Sequence, residues 1–292
     1  MKVVITIPAY NEEKTVGRVI ADIKKVMKGY KYQIIVIDDG SKDKTRLIAE
    51  KYGAYVISHP LNYGLAETFR TEMKEALKKN PDIILHMDAD GQYLASDIPR
   101  LLRPIIKKEA DIVLGSRFLG KIESMPLVKR IGNIAFSKAI SGITRTRISD
   151  CQTGFRAFTK KIAELTILSD HTYTQEQVIR AIRHKFRIIE VPIYFARRHG
   201  KSRLISSSLQ YAIKAWINIL RVYRDFRPLK FFGYSGAIFF IVGVLLGLWI
   251  LYNIIITGSA GALPRVLLTV LLITVGIQIW LFGFLADMVK KE

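Results

Sequence analysis

Short β-branched runs alternate along the first 118 residues with segments whose apolar positions recur at helical spacing. Strands are predicted at 2–10, 32–41, 54–60, 83–87 and 110–118, and helices at 12–29, 42–53, 64–80 and 96–108. Regular alternation of strands and helices favours a parallel sheet over an antiparallel one. We therefore predict an α/β domain with a mostly parallel, Rossmann-like sheet and helices on both faces.

The end of the chain has a different pattern. Residues 231–257 and 266–286 contain no charged side chain, and each stretch is long enough to cross a bilayer core, which takes about 20 residues. The short linker between them predicts a transmembrane helical hairpin. We divide the chain into an α/β domain (1–203), a segment at 204–228 and a hairpin (229–292).

The segment at 204–228 carries apolar residues at helical spacing with basic residues between them. This pattern predicts an amphipathic helix in the lipid headgroup layer, with an ordinary surface helix of the α/β domain as the alternative. Residues 126–143 form a second, weaker candidate of the same kind.

Charge adds a preference for anionic partners. The net charge is +20, and residues 231–292 hold only three of the 45 basic residues, so the excess lies before the hairpin. Such an excess favours nucleic acid, an acidic membrane surface or a phosphorylated substrate. The single cysteine excludes an intramolecular disulfide and a four-cysteine zinc site.

Basic residues also flank the hairpin at both of its ends. Arg221, Arg224, Arg227 and Lys230 precede the first span, and Lys290 and Lys291 follow the second. The positive-inside tendency therefore predicts a cytoplasmic α/β domain.

Acidic clusters follow three of the predicted strands, in "PAYNEE", "DDGS" and "DADGQ". Ligands of open α/β sheets bind beyond the carboxyl ends of the strands, so these clusters should line one cleft. Asp88 and Asp90 suit Mg²⁺ or Mn²⁺, with Gln92 as a further oxygen ligand. A glycosidase pair fits less well because its acids flank the sugar from opposite sides, and a solvated turn is the other alternative.

Other polar residues suit a nucleotide and its phosphates. Asp38 and Asp39 can accept hydrogen bonds from a base or ribose, or can cap the following helix. Arginine donates paired hydrogen bonds to phosphate oxygens, and a solvated basic loop is the alternative for the run "ARRHGKSRL" at 196–204. The basic candidates are Arg117, Arg130, Arg197, Arg198 and Lys201.

Seven motifs, taken together and in order, resemble those of the family 2 inverting glycosyltransferases, most closely the dolichyl-phosphate mannose and glucose synthases. They are "IPAYNEE", "IDDGSKDKT", "HPLNYGLAETFRTEM", "MDADGQY", "GSRF", "DCQTGFRAF" and "RRHGKSRL". The resemblance covers nearly all of residues 1–204. It implies a GT-A fold and transfer of one hexose from GDP-mannose or UDP-glucose to dolichyl or polyprenyl phosphate.

The resemblance also implies roles for individual residues. Nucleotide contacts fall to Pro8, Tyr10, Glu12 and Asp39, the metal to Asp88, Asp90 and Gln92, and phosphate to Arg117, Arg130, Arg197 or Arg198, and Lys201. Asp150 and Glu176 are expected to position the acceptor. A lipid monophosphate is already anionic at neutral pH, so we expect no essential protein base.

Two other functions are consistent with parts of the sequence. A processive polysaccharide synthase would use a sugar hydroxyl as acceptor, but "QVIRAIRHKF" lacks the tryptophan of the "QxxRW" motif and two spans do not readily make a pore. A basic membrane-anchored binding protein would explain the charge but not the strand-end acids.

We therefore expect a nucleotide sugar, a polyprenyl phosphate and the bilayer as partners, without nucleic acid. A homo-oligomer is compatible with two isolated spans.

Overall fold

A computed structural model gives the architecture of the chain. It describes residues 1–165, 167, 173–197, 217, 220, 221, 223, 224 and 226–289. These residues belong to two compact units, Met1–Ala212 and Ile213–Glu292. The predicted helix at 204–228 and the residues Arg198, Lys201, Lys290 and Lys291 lie wholly or mostly outside the described residues.

The first unit contains seven strands and seven α-helices among its described residues. The strands are β1 (Lys2–Ala9), β2 (Lys31–Asp38), β3 (Tyr55–Ser58), β4 (Ile83–His86), β5 (Ile112–Ile122), β6 (Arg156–Thr159) and β7 (Ile188–Phe195). The helices are α1 (Val16–Val26), α2 (Thr45–Lys51), α3 (Leu65–Lys78), α4 (Ile98–Ile106), α5 (Leu127–Thr144), α6 (Lys160–Ala163) and α7 (Thr174–Arg183).

The seven strands form one sheet in the order β3-β2-β1-β4-β6-β5-β7. All neighbouring strands are parallel except β6, which is antiparallel to both β4 and β5. The parallel arrangement brings the carboxyl ends of β2, β1 and β4 side by side at one edge. The predicted α/β fold with a mostly parallel sheet is therefore confirmed.

Alternation along the strands assigns their side chains to two faces of the sheet. Ile83, Leu85 and Met87 belong to the main apolar core, together with residues of α1 and α4. Because successive strand residues point to opposite faces, His86 and Asp88 lie on the other face. That face is covered by α3, which contacts both β1 and β2.

The second unit is a pair of long apolar helices, α8 (Pro228–Thr257) and α9 (Leu263–Val289). Their mean hydropathies are 2.5 and 2.3, and both are long enough to cross a bilayer. Gly236 and Gly276 allow close contact between the helices, since a Cβ on Gly236 would lie 2.8 Å from the Gly276 carbonyl oxygen. Trp280 donates its indole N–H to the Gly233 carbonyl at 3.0 Å.

The helix α5 coincides with the segment that the sequence suggested at 126–143. Its first turns expose apolar side chains, with Leu127 at 72% and Ile131 at 65% of their maximal accessible surface. Arg130 is exposed on the same turns. These features are typical of a surface that contacts lipid or a partner rather than the domain's own core.

Candidate active site

The carboxyl ends of β1, β2 and β4 carry the acidic clusters that the sequence predicted to converge. Asp38 is the last residue of β2 and pairs with Ala9, the last residue of β1. Thr6 of β1 pairs in turn with His86, the last residue of β4. The loops containing Glu12, Asp39 and Asp88 therefore begin at adjacent positions along one edge of the sheet.

Asp88 and Asp90 lie on the turn that follows β4. The Asp88 side chain is 36% exposed, and Asp90 accepts a hydrogen bond from the Gln92 backbone N–H at 3.0 Å. Gln92 is anchored to the end of β7 because its side-chain amide donates to the Ala196 carbonyl at 3.1 Å. The three predicted metal ligands thus share one short, well-fixed turn.

Gly154 leaves room for the Asp88 carboxylate. A Cβ at position 154 would lie 2.8 and 2.9 Å from the two carboxylate oxygens of Asp88. Such distances are too short for a carbon–oxygen contact, so a side chain there would displace the carboxylate. The "DCQTGF" motif therefore provides polar groups and, at Gly154, the space that the Asp88 carboxylate needs.

The loops after β1 and β2 are joined by reciprocal hydrogen bonds. The Asn11 backbone N–H donates to Ser41 Oγ at 2.8 Å, and the Lys42 N–H donates to the Asn11 side chain at 2.8 Å. The Glu12 N–H donates to Thr45 Oγ1 at 2.7 Å. Tyr10, 37% exposed, and the partly buried Pro8 flank this joined region.

Asp39 organises the loop after β3. Its carboxylate accepts hydrogen bonds from the backbone N–H groups of Tyr63 and Gly64, both at 2.9 Å. It also lies 2.8 Å from His59 Nδ1, and His59 Nε2 contacts the Thr71 hydroxyl at 3.0 Å. The sequence singled out Asp39 for a nucleotide but gave no sign of His59, whose partner is 20 residues away.

Arg117 and Asp150, predicted separately, form a buried ion pair. Arg117 Nε and Nη2 donate to the two carboxylate oxygens of Asp150 at 2.7 and 2.8 Å, and the Arg117 backbone N–H donates at 3.0 Å. Burial favours a lower pKa for Arg117, but the hydrogen bonding to Asp150 and the nearby acidic groups together outweigh it and raise that pKa. Glu190 fixes the same loop by accepting the Asp150 backbone N–H at 2.9 Å.

A second buried polar group lies on the α3 side of β4, behind Asp88. His86 Nδ1 is 2.6 Å from Glu72 Oε2, His86 Nε2 is 2.6 Å from the Tyr173 hydroxyl, and all three side chains are fully buried. Burial favours a lower pKa for His86, but the negative charges of Glu72 and Asp88 and the hydrogen bond to Glu72 raise it to about 9. A histidine within the apolar run "IILHMD" was the available signal in the sequence.

The fully buried Arg156 ties this region to α7. Its guanidinium donates to the Thr174 carbonyl and to the Gln177 side chain, both at 3.0 Å, and to the Thr153 carbonyl. Burial lowers the pKa of Arg156. The Thr153 end of the "DCQTGF" motif is therefore linked through one side chain to the start of the helix that carries Glu176.

The remaining predicted residues lie around this centre. Glu176, in the first turn of α7, forms an ion pair with Arg180 at 2.7 Å. The backbone N–H of Arg197 donates to Glu123 at 2.9 Å. A small cleft of about 110 Å³ is lined by Arg197 and Asp90 together with residues of α1.

Comparison with known proteins identifies the class. The glycosyl transferase family 2 model matches residues 4–166, and the GtrB C-terminal hairpin model matches residues 227–291. The fold is also that of glucosyl-3-phosphoglycerate synthase from Mycobacterium tuberculosis, solved with Mn²⁺, UDP and glucosyl-3-phosphoglycerate (TM-score 0.60, 18% identity, 75% of this chain and 79% of that one). The protein is a glycosyltransferase with a GT-A-type domain.

Two named relatives come from archaea. A dolichyl-phosphate hexose transferase of Haloferax volcanii is 33% identical over 68% of this chain and 85% of its own length. A dolichol-phosphate mannosyltransferase of Pyrococcus furiosus is 28% identical over 97% of this chain and 81% of its own. The chain belongs to glycosyl transferase family 2, as its motifs indicated.

Proposed function

We propose that this protein transfers a single hexose, with inversion, from a nucleotide sugar to polyprenyl phosphate at the cytoplasmic face of a membrane. The observation that carries the proposal is the combination of a family 2 domain, which presents Asp88 and Asp90 at a strand end, with a hairpin suited to a bilayer. The relatives named for transfer to dolichyl phosphate support the same acceptor class. GDP-mannose and UDP-glucose are the donors to test first.

The residues present fit a divalent cation. Asp88, Asp90 and Gln92 offer oxygen ligands, which Mg²⁺ and Mn²⁺ prefer, and the glycine at 154 leaves space beside Asp88. Among the described residues no three His, Cys, Asp or Glu side chains gather into a metal site. Two carboxylates with few further protein ligands suit a cation that also binds diphosphate oxygens, and such a cation would neutralise charge on the leaving nucleotide.

The chain's own residues bind and orient the substrates. In an in-line displacement, an acceptor phosphate oxygen bonds to the anomeric carbon while the bond to the nucleotide diphosphate breaks. The joined loops after β1 and β2, with Tyr10 and Pro8, suit the nucleoside. Asp39 fixes the loop after β3 through the backbone N–H groups of Tyr63 and Gly64. Its proposed role in nucleotide binding therefore includes shaping this loop beside the nucleotide.

Acceptor binding requires positive charge more than a base. Asp150 is fully buried and accepts three hydrogen bonds from Arg117, which suits a residue that positions Arg117 rather than one that takes a proton. Arg130 on α5 and Arg197 beside Asp90 are the exposed cations proposed to bind phosphate. The exposed apolar side chains of Leu127 and Ile131 favour contact of α5 with lipid.

The test uses the full chain in detergent or in vesicles, with polyprenyl phosphate and labelled GDP-mannose or UDP-glucose. We expect a lipid-linked monosaccharide that requires Mg²⁺ or Mn²⁺ and disappears in a double Asp88→Asn, Asp90→Asn variant. Asp82→Asn is the matched control, because Asp82 lies at the other end of β4, where it accepts a hydrogen bond from the Lys2 backbone N–H. Unchanged synthesis in the double variant, or polymer instead of a monosaccharide product, would contradict the proposal.

A further inference from the structure

A continuous chain of buried polar side chains lies behind Asp88. Glu72 on α3 contacts His86 at the end of β4, and His86 contacts the Tyr173 hydroxyl, both at 2.6 Å. His86 Nε2 is also 3.7 Å from Asp88 Oδ1. We call these three residues the Glu72–His86–Tyr173 chain, and Asp88 is the neighbouring group that reaches solvent.

Placing this chain in the core has an energetic cost. Polar groups lose hydration when they are buried, and each one needs a hydrogen-bond partner to offset the loss. Here one oxygen, Glu72 Oε1, has no hydrogen-bond partner among the described residues. Apolar side chains of similar size would fill the same space without this penalty, so packing alone does not explain these residues.

The Glu72–His86–Tyr173 chain is held rigidly by neighbouring side chains. The Tyr173 ring stacks on Phe69, with ring centroids 4.0 Å apart and an interplanar angle of 10°. The Arg156 guanidinium lies 5.5 Å from the centre of the same ring. A hydroxyl fixed in this way holds the His86 imidazole in one orientation.

The Asp88 carboxylate therefore has two close neighbours. His86 Nε2 lies 3.7 Å from its Oδ1, and a Cβ on Gly154 would lie 2.8 Å from its Oδ2. Metal sites in proteins commonly have such an outer layer, in which buried partners orient the side chain that binds the ion.

We propose that His86, held by Glu72 and Tyr173, is a positioning residue that orients the Asp88 carboxylate and thereby sets the affinity of the site for a divalent cation. This inference rests on the proposed function, since it assigns Asp88 to the cation. It also assigns a role to Tyr173, which immediately precedes α7. Through Tyr173 and His86, the helix that carries Glu176 is connected to the proposed cation site.

The experiment measures Mn²⁺ binding directly. The purified full chain is titrated with Mn²⁺, alone and with UDP or GDP, and free Mn²⁺ is followed by its electron paramagnetic resonance signal. Tyr173→Phe removes the hydroxyl but keeps the stacked ring, and His86→Leu replaces the imidazole by an apolar side chain. We expect affinity to fall about 10- to 100-fold, the usual effect of losing such a partner, with partial recovery in His86→Gln, whose amide can reach the position of Nε2.

Asp111→Asn is the control. Asp111 forms an ion pair with Arg187 at 3.1 Å just before β5 and β7 begin, at the opposite edge of the sheet from the acidic clusters. It should change thermal stability without changing Mn²⁺ affinity. Each variant's thermal unfolding is measured in parallel, because a purely structural role for His86 predicts lower stability with unchanged Mn²⁺ affinity.

The outcomes separate the two proposals. Loss of Mn²⁺ binding in Asp88→Asn together with wild-type affinity in Tyr173→Phe and His86→Leu would overturn the positioning role while leaving the cation site in place. Unchanged Mn²⁺ binding in Asp88→Asn would overturn the cation site itself. Weakened binding in both sets, with recovery in His86→Gln, supports the inference.

Discussion

Arg117 and Asp150 form a bidentate ion pair in which both side chains are almost completely buried, with N–O distances of 2.7 and 2.8 Å. Such a pair ties the middle of β5, which carries the "GSRF" motif, to the "DCQTGF" loop. Its geometry explains how two residues 33 positions apart serve one site.

Removing one partner should leave the other charge buried and unpaired. We expect Arg117→Met or Asp150→Leu to lower the free energy of unfolding of the α/β unit by about 3–5 kcal/mol. The double variant should recover much of that loss while transferase activity stays low, because Arg117 is proposed to act on phosphate. Thermal unfolding and product formation, measured on all four proteins, test this, and a double variant no more stable than either single one would contradict it.

Gly154→Ala should disturb the Asp88 carboxylate. The added Cβ would lie 2.8 Å from a carboxylate oxygen, so the side chain must rotate away and metal-dependent activity should fall at least tenfold. Gly142→Ala on α5 is the matched control because a Cβ there meets no atom within 4 Å. In that control, activity should persist and stability should rise slightly through better helix propensity. Equal activity in both variants would contradict the proposed geometry.

The parts of the fold that could be predicted are those encoded locally. Strands β1 to β5 and the helices between them follow from periodicity within short windows, and the hairpin follows from two uncharged stretches. The antiparallel β6, only four residues long, and β7 were not predicted. Both strands pair with segments distant in sequence, β6 with β4 and β5 and β7 with β5, so no local pattern signals these pairings.

The site shows the same limit. Asp88, Asp90 and Gln92 were found because they follow one strand. The pairing of Asp39 with His59 and the contacts of His86 with Glu72 and Tyr173 join different elements, so no single segment of sequence contains them. Arg117 and Asp150 were each predicted to contact a substrate phosphate or position the acceptor, but their pairing with each other depends on the packing of the sheet.

Cys151 should be unreactive in the folded protein. Its side chain is fully buried, and burial raises the pKa of its thiol to about 12. The nucleophilic thiolate is therefore almost absent at pH 8. We expect iodoacetamide to modify the native protein at less than one hundredth of the rate for the denatured protein, as read by mass spectrometry. Rapid native alkylation would show that the loop carrying Asp150 opens frequently.

The glycines of the hairpin provide a prediction independent of catalysis. A Cβ on Gly236 would lie 2.6 Å from the Trp280 ring, whereas a Cβ on Gly233 meets no atom within 4 Å. Both positions lie on α8, so valine costs both of them similar helix propensity. We expect Gly236→Val to destabilise the α8–α9 pair by about 1–3 kcal/mol more than Gly233→Val, as overpacking does elsewhere.

Unfolding of the detergent-solubilised chain by dodecyl sulfate, followed by tryptophan fluorescence, measures this difference. The Gly233 variant keeps the backbone carbonyl that accepts the Trp280 indole N–H, so the control retains the acceptor of that hydrogen bond. Because lipid offers helices no hydrophobic drive to associate, close packing at small residues is the main source of hairpin stability. Equal transitions for the two variants would mean that the helices do not pack through this face.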